Sequence, residues 1–361
     1  MPLSIVGAGR LVYDSSTLAP VPVPEFFRGC RKGWPVERMR IDWCDADIRS
    51  LLNSHEIIAR DVDLLDMGAK HTSFRIDRRY LLKLSDQEFR DETERLLRVK
   101  SLSHASTFEH AGSFKGESGV FHYLITDYFD GDDLYGASRV LSGEQQRTLG
   151  TRIADFLTNL HAIEGGHYDV GHYVPTIANH RGSWLEGHRA YVQSLRAGMA
   201  SVKLRHLNRI TINEAFTFID THAGSLECQN GPRLLHNDFH PRNIIVDNGL
   251  FSGVIDWECS QYGEPDFDLS HLVHWCIFPP DESVDLQPFL HSLFASLPVL
   301  DSVSDLTTRL TIYQLEHEVI QIIWSKGETQ DDRCHRIQQW LGNRVGQFMN
   351  ASQPQDQIPV G

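Results

Sequence analysis

The chain has 361 residues, 41% of them hydrophobic, and carries a formal net charge of −14. This length is sufficient for a two-lobed globular protein with sizeable buried cores. The negative charge argues against nucleic acid or an anionic membrane as the main partner, since both favour a basic surface, and it is compatible with a small molecule that carries positive charge.

Cysteine spacing and hydropathy indicate the compartment. The six cysteines are scattered and form no CxxC pair, so the sequence predicts no disulfide framework. No apolar run approaches the roughly 20 residues that a membrane span requires, and the amino terminus lacks a basic region followed by an apolar core. We therefore expect a reduced, cytoplasmic protein without a membrane partner, and the sequence leaves the oligomeric state open.

The pattern of apolar residues divides the chain into four parts. An N-terminal extension precedes the first strands and includes a helix-like pattern from Asp45 to His55. The predicted parts are the extension at residues 1–55, a strand-rich lobe at 56–130, a mainly helical lobe at 131–350 and a tail at 351–361.

The first strands of the small lobe carry a glycine at a bend and a lysine. Leu64 to Ile76 has the pattern of strand, turn and strand, with Gly68 at the bend, where the backbone can approach a phosphate closely. Arg79 to Leu84 alternates in polarity, which predicts a strand with Lys83 on it. Gly68 and Lys83 are therefore candidate phosphate contacts if the downstream half of the chain transfers phosphate.

Three further elements follow in the same order as the chain. Phe89 to Leu102 has helical spacing of apolar residues, with Glu92 and Glu94 near its start. Phe121 to Leu134 runs from an apolar strand into an acidic turn with a glycine, and Arg147 to Leu160 has the pattern of an amphipathic helix. A lysine on a strand and a glutamate on a helix are most often solvated surface charges, so their role depends on the motif downstream.

The most informative stretch is His236-Asn237-Asp238-Phe239-His240-Pro241-Arg242-Asn243. Ile244 to Val246 then has the pattern of a short strand, Asp247-Asn248-Gly249 that of a hairpin turn, and Phe251 to Ile255 that of the returning strand. Such a hairpin places Asp256 close to Asn243. A carboxylate and an amide oxygen then meet at one point, and oxygen ligands suit Mg²⁺.

These three polar residues match the needs of phosphoryl transfer. The reaction needs a carboxylate beside the hydroxyl acceptor, and an amide and a second carboxylate to hold magnesium ions. We assign Asp238 as the catalytic base or hydroxyl-orienting group, and Asn243 and Asp256 as metal ligands.

Two alternatives compete with this assignment. His236, Asp238 and His240 alternate along the chain and, with Glu258 nearby, form a pattern that can ligate zinc or iron in a metal-dependent hydrolase or oxygenase. That hypothesis leaves Asn243 and the upstream lysine unexplained. The second alternative is a nucleotide-binding module without activity, although all the carboxylates and the amide that the chemistry needs are present.

His236 to Asn243, together with Ile255-Asp256-Trp257-Glu258, closely resembles the motif of the aminoglycoside phosphotransferase family of kinase-like enzymes. The segment from Gly263 to Leu269 is similar to one that follows this motif in the family, which places Asp268 at an aspartate that braces the catalytic loop through backbone hydrogen bonds. Two positions depart from the family pattern. Arg242 stands where the family usually has a small residue, and Asn237 replaces a frequent glycine.

The resemblance implies an α+β, two-lobed, protein-kinase-like fold with a small β-rich N-lobe and a larger, mainly helical C-lobe. It implies ATP as the phosphate donor, with GTP as the alternative, and Mg²⁺ as the metal. Lys83 would contact the α- and β-phosphates, with Glu92 as its ion-pair partner and Glu94 as the competing choice. The carbonyl of Asp127 and the amide of Phe129 would contact the adenine edge.

The acceptor is predicted only as a class. By resemblance, the chain is expected to phosphorylate a hydroxyl of an aminoglycoside-like antibiotic, an amino alcohol or another small metabolite. Residues 171–225 look like the helical insert that frames the acceptor pocket in the family. Acidic residues in Tyr313 to Glu318 and in Pro279 to Glu282 are candidates for binding ammonium groups, and exposed surface charges are the alternative interpretation.

Overall fold

The computed structural model of the chain describes residues 44–67, 71–117, 119–170, 182–227, 229–281 and 283–351. Gly68, most of the N-terminal extension and the tail at 352–361 lie outside these residues. Within the described segments, no helix combines the length and apolar character needed to cross a membrane.

The N-terminal part is built on one antiparallel sheet of five strands in the order β1-β2-β3-β5-β4. The strands are β1 (Val62–Met67), β2 (Thr72–Ile76), β3 (Tyr80–Ser85), β4 (Phe108–Gly116) and β5 (Gly119–Asp127). The predicted strand with Lys83 is β3, which lies in the middle of the sheet between β2 and β5. A central strand is held on both edges, so the sheet fixes the position of Lys83.

Two helices flank this sheet. Helix α1 (Asp45–Ser54) has the helical pattern predicted for the end of the extension, and it buries Ile48, Leu51 and Leu52 in one cluster with the sheet residues. Helix α2 (Arg90–Val99) is shorter at its C-terminal end than the predicted 89–102. The chain turns at residues 100–104, where two serines can bond to the backbone and compete with the helix.

The C-terminal part is mainly helical. Its helices are α3 (Leu134–Ala137), α4 (Gly143–Leu160), α5 (Trp184–Ala200), α6 (His206–His222), α7 (Asp268–Ile277), α8 (Gln287–Ser296), α9 (Leu306–Trp324), α10 (Gln330–Leu341) and α11 (Arg344–Ala351). Helix α4 begins before the predicted Arg147, because Ser142 and Gln145 cap each other's backbone in a capping box. Helix α9 is the central helix, with nearly every side chain between Arg309 and Ile322 buried.

Short strands in the C-terminal part position the motif from His236 to Asn243. They are β6 (Asp132–Asp133), β7 (Arg233–Leu235), β8 (Ile244–Asp247), β9 (Leu250–Val254) and β10 (Gln261–Gly263). Strands β8 and β9 form the predicted hairpin, with Asn248 at φ 50° and Gly249 at φ 80° in its turn. Two consecutive left-handed residues match the tight turns that join hairpin strands. The hairpin prediction is therefore confirmed.

The fold as a whole has the α+β composition that was predicted, with the sheet in the N-terminal part and the helices in the C-terminal part. The sheet ends at Asp127 and the first helix of the C-terminal part begins at Leu134. The boundary predicted at residues 130 and 131 falls between these two points.

Candidate active site

The motif from His236 to Asn243 forms a buried loop between two strands. It follows β7, passes through a short 3-10 turn at Pro241–Asn243 and leads directly into β8. Every side chain from Leu234 to Val246 is buried except that of Arg242. The protein therefore holds this loop from several sides, as a site that must keep a fixed geometry requires.

Asp268 holds the start of the loop through its carboxylate. It accepts hydrogen bonds from the backbone N–H of His236 at 3.0 Å and of Asn237 at 2.7 Å, and it lies 3.0 Å from Nε2 of His161. Asn237 has a left-handed backbone with φ 63°, which is more accessible to asparagine than to most residues. This conformation explains why asparagine can stand at a position where the family often has glycine.

The His236 ring connects the loop to the end of the hairpin. Its Nδ1 accepts the backbone N–H of Asp238 at 3.3 Å, so the ring proton of the neutral form is on Nε2. This Nε2 donates to the carbonyl of Ile255 at 2.9 Å. Burial lowers the pKa of His236, which keeps the ring neutral and the two bonds in this direction.

Asp238 and Asn243 are in direct contact. The Asn243 side-chain amide donates to the Asp238 backbone carbonyl at 2.9 Å and lies 3.3 Å from its Oδ2. Both Asn243 contacts use the nitrogen, and in the described part of the chain no donor is bonded to its Oδ1. Asn243 therefore has an amide oxygen to offer as a ligand.

Asp256 lies next to Asn243 across the hairpin, as the sequence predicted. The backbone N–H of Ile255 donates to the carbonyl of Asn243 at 3.0 Å, and Ile244 pairs with Val254. Asp256 adopts φ 66°, and its Oδ1 is 3.6 Å from Nζ of Lys83. A carboxylate and an amide oxygen at this point are hard oxygen ligands of the kind that suits Mg²⁺.

Lys83 pairs with Glu92 and not with Glu94. Its Nζ donates to Oε1 of Glu92 at 2.6 Å, and both side chains are buried, whereas Glu94 is exposed and lies near Arg90. Burial alone would lower the pKa of Lys83, but the carboxylates of Glu92 and Asp256 outweigh it and raise the pKa above its ordinary value. Lys83 is therefore a fixed positive charge beside Asp256.

Asp127 and Phe129, two of the three remaining candidates for nucleotide binding, lie where the two parts of the chain meet. Asp127 ends β5, and its carboxylate accepts the backbone N–H of Thr107 at 2.6 Å. The Phe129 ring packs against Gly253 of β9, where a Cβ would lie 2.4 Å from the ring. The third candidate, Gly68, lies outside the described residues.

The structure does not support the alternative in which His236, Asp238 and His240 ligate a transition metal. Both ring nitrogens of His236 are bonded to the backbone, and Nδ1 of His240 accepts the backbone N–H of Arg242 at 3.2 Å. In the segments that the structure describes, no group of three or more His, Cys, Asp or Glu side chains is arranged to hold a metal ion.

Three of the acidic residues expected near the acceptor are paired within the protein, and the fourth, Glu282, lies outside the described residues. Glu316 and Glu318 are completely buried in α9, so they are neither ammonium-binding groups in an open pocket nor exposed surface charges. Glu316 lies 2.9 Å from Nδ1 of His188, and Glu318 accepts from Arg333 at 2.9 Å. Asp281 accepts from Arg139 at 2.9 Å. These carboxylates are used within the protein.

Two buried imidazoles, those of His240 and His271, lie beside Asp238. The sequence pattern indicated His240 only as a possible metal ligand, and it did not indicate His271. Nε2 of His240 and Nδ1 of His271 lie 3.5 and 3.7 Å from Oδ1 of Asp238. His271 follows Asp268 by three residues on α7, a spacing that places both on one face of a helix. That spacing was the available signal, because a residue beside the bracing aspartate on the same face also approaches the loop.

Comparison with known proteins places the chain in a family. A model of the phosphotransferase enzyme family, APH, matches residues 63–293, more than half of the chain. Hygromycin-B 4-O-kinase of Escherichia coli is 31% identical over 49 residues, a match that spans only 14% of the length of either protein. The family match runs from within β1 to within α8 and therefore includes every candidate residue of the site.

Solved structures with the same fold include those of aminoglycoside phosphotransferases. A thermostable mutant of APH(4)-Ia in ternary complex with AMP-PNP and hygromycin B has a TM-score of 0.59 and 17% identity, covering 83% of this chain and 99% of that one. A streptomycin–ATP–APH(2")-IIa ternary complex has a TM-score of 0.56 and 19% identity, covering 85% and 99%. At this identity the likeness establishes the fold, and the predicted two-lobed, kinase-like α+β fold is confirmed. By the extent of the family match, the chain belongs to the phosphotransferase enzyme family.

Proposed function

We propose that this protein is an ATP-dependent kinase that transfers the γ-phosphoryl group to a hydroxyl of a small molecule. The observation that carries the proposal is a continuous set of polar groups across the hairpin. Glu92 holds Lys83, Lys83 lies 3.6 Å from Asp256, and Asp256 follows a residue bonded to Asn243, which contacts Asp238. This set contains each group that phosphoryl transfer needs.

In this proposal the nucleotide binds between residues 56–130 and 131–350. Lys83 contacts its α- and β-phosphates, Gly68 is the proposed backbone contact of the phosphates, and the backbone of Asp127 and Phe129 meets the adenine. Magnesium bound by Asn243 and Asp256 would neutralise charge on the β- and γ-phosphate oxygens. ATP is the donor that we propose, since it is the nucleotide in the complex of APH(2")-IIa, and GTP is the alternative.

Asp238 is the proposed catalytic residue. The acceptor oxygen forms a bond to the γ-phosphorus as the bond from that phosphorus to the β-phosphate oxygen breaks, and ADP leaves with the electron pair. Asp238 orients the hydroxyl and takes its proton late, because little proton transfer is needed before the loose transition state. Asn243 contacts one oxygen of this carboxylate, and the imidazoles of His240 and His271 lie 3.5 and 3.7 Å from the other.

The acceptor is proposed as a class, from the relatives. Hygromycin-B 4-O-kinase and the ternary complex of APH(4)-Ia point to an aminoglycoside-like antibiotic, and amino alcohols and other small hydroxyl metabolites are further members of the proposed class. A test panel should therefore contain all of these groups.

The test is release of ADP from Mg·ATP with this panel of acceptors, for the wild type and Asp238→Asn. We expect the variant to lower turnover by about 10²- to 10⁴-fold with nearly unchanged affinity for nucleotide. Asp247→Asn is the matched control, because Asp247 is an exposed aspartate at the end of β8, and it should behave as the wild type. Turnover of Asp238→Asn within about threefold of the wild type would remove Asp238 from its role. Nucleotide binding without turnover of any acceptor would favour the inactive module.

A further inference from the structure

Arg242 is the one exposed side chain in an otherwise buried run. From Leu234 to Val246, every other side chain is buried. Arg242 lies in the 3-10 turn between Asp238 and Asn243, directly before the proposed metal ligand. Its side chain therefore leaves the loop toward solvent from within the part of the chain that forms the active site.

Arg242 is connected to Asp238 through the rings of Trp275 and His240. Its guanidinium carbon lies 5.6 Å from the centre of the Trp275 ring. Trp275 stacks on His240 at 5.0 Å with 26° between the ring planes, and Nε2 of His240 is 3.5 Å from Oδ1 of Asp238. Tyr135 meets Trp275 edge-on at 6.5 Å. We call the three residues Arg242, Trp275 and His240 the acceptor wall.

The charge of Arg242 is not neutralised by the protein nearby. Among the described side chains, no carboxylate lies within 4 Å of its guanidinium, so its charge is open to a ligand. Asp281, whose backbone N–H lies 3.5 Å from the Tyr135 hydroxyl, is bonded through its carboxylate to Arg139 at 2.9 Å. In a chain with a net charge of −14, the wall is a local site of positive charge.

We propose that the acceptor carries an anionic group, a carboxylate or a phosphate, beside its reacting hydroxyl, and that Arg242 on the face of Trp275 binds this group. This inference rests on the proposed kinase function and narrows its acceptor. A planar guanidinium matches the oxygens of both groups in a bidentate contact, and stacking on an aromatic ring limits its freedom before the ligand binds. An ammonium group at the same place is repelled.

The test measures binding to the complex with Mg²⁺ and AMP-PNP by isothermal titration. The probes are sets of small hydroxyl compounds with one carbon skeleton that differ in one group: carboxylate, phosphate, carboxamide or ammonium. We expect wild-type protein to bind one of the two anionic members at least tenfold more tightly than the carboxamide and ammonium members, since a hydrogen bond to a charged group contributes on the order of tenfold or more in affinity. Comparing the affinities for the carboxylate and phosphate members shows which of the two anionic groups the site prefers.

Variants of Arg242 test whether this residue causes the preference for anionic probes. Arg242→Ser, which restores the small residue usual in the family, should lose the preference for anions and keep its affinity for Mg·AMP-PNP, which also shows that it is folded. Arg242→Lys should keep part of the preference, because it retains the charge without the planar contact. Arg152→Ser is the control, since Arg152 is an exposed arginine of α4 outside the wall, and it should match the wild type.

The outcomes separate this inference from the function on which it rests. Tighter binding of the ammonium member, equal binding of all members, no binding of either anionic member, or an unchanged preference in Arg242→Ser would each overturn the anionic acceptor while Mg·AMP-PNP binding leaves the kinase proposal standing. Failure of the wild type to bind Mg·AMP-PNP would overturn both.

Discussion

At the scale of single residues, the site depends on charges that are buried and paired. The sequence predicts Asp238, Asn243 and Asp256 as one site, and the structure places Asn243 in contact with Asp238 and beside the end of the hairpin that carries Asp256. The roles of the three residues stay predictions. The sequence also favoured Glu92 over Glu94, and the structure buries the first against Lys83 while the second is exposed. It did not identify the contact between Asp238 and His271, because that contact depends on how α7 packs against the loop.

Glu92→Gln tests the ion pair that positions Lys83. Loss of the carboxylate leaves Lys83 held by Asp256 alone, so we expect kcat/KM for ATP to fall by roughly tenfold or more, a loss on the scale of one charged hydrogen bond. Glu94→Gln removes the same charge two residues away, and we expect at most about a twofold change. Equal effects in steady-state kinetics would show that Lys83 is not positioned by Glu92.

His274 should make stability depend on pH. Burial lowers the pKa of His274 well below 6.5, its Nδ1 contacts Gln314 at 3.1 Å, and Nε2 faces the guanidinium of Arg336. Below pH 6.5 the unfolded chain binds a proton that the folded chain does not. The free energy of unfolding therefore falls as pH falls, by up to about 1.4 kcal/mol per pH unit for this group.

Urea unfolding of the wild type and His274→Asn between pH 7.5 and 5 measures this contribution. The variant should be less stable at pH 7.5, and its stability should fall less steeply below about pH 6.5. The groups that face His274 also include the guanidinium groups of Arg333 and Arg336, the carboxylate of Glu318, whose pKa is raised by burial, and the rings of His271 and His317. Glu318 also gains a proton as pH falls, so the contribution of His274 is the difference between the two proteins and not the slope of the wild type alone. The same dependence of the free energy of unfolding on pH in both proteins would contradict the contribution assigned to His274.

At the scale of elements, the alternation of apolar residues and the turn residues predicted the strands and the hairpin well. They did not predict which polar residues of a helix are buried. The β8–β9 hairpin has a turn signal in the sequence, and α4 began early because of a capping box that the apolar pattern does not show. The sequence predicted that acidic residues of α9 could bind ammonium groups of the acceptor. The polar residues of this helix are instead buried on all sides and bonded to other helices, an arrangement that depends on tertiary packing and has no helical period to reveal it.

Gly131 tests the junction between the sheet and the hairpin. It has φ +127°, and a Cβ added there would lie 2.3 Å from the carbonyl oxygen of Val246 in β8. Gly131→Ala should therefore lower the free energy of unfolding by about 2 kcal/mol or more, since strain and the backbone contact add. Gly166→Ala is the matched control, because a Cβ there meets no atom within 4 Å. Equal urea midpoints for Gly131→Ala and Gly166→Ala would show that the backbone at Gly131 can move away from Val246 without a loss of stability.

At the scale of the whole molecule, the two parts of the chain share a core beside the site. Leu96 and Val99 of α2 and Leu124 of β5 belong to the same buried cluster as the helices of the C-terminal part. Arg95 of α2 donates to the backbone carbonyl of Glu258, and Lys83 faces Asp256. A nucleotide held by Lys83 and Asp256 would therefore bridge both parts and stabilise the whole fold.

The most direct test is the thermal midpoint of the wild type and Asp256→Ala, titrated with ATP with and without Mg²⁺. A ligand that binds only the folded state stabilises it by about 2.7 kcal/mol at 100 times its Kd. We expect the midpoint of the wild type to rise by several degrees with Mg·ATP, to rise much less without Mg²⁺, and to lose most of this magnesium dependence in Asp256→Ala. No shift at millimolar nucleotide, or the same magnesium-dependent shift in both proteins, would contradict the kinase site described above.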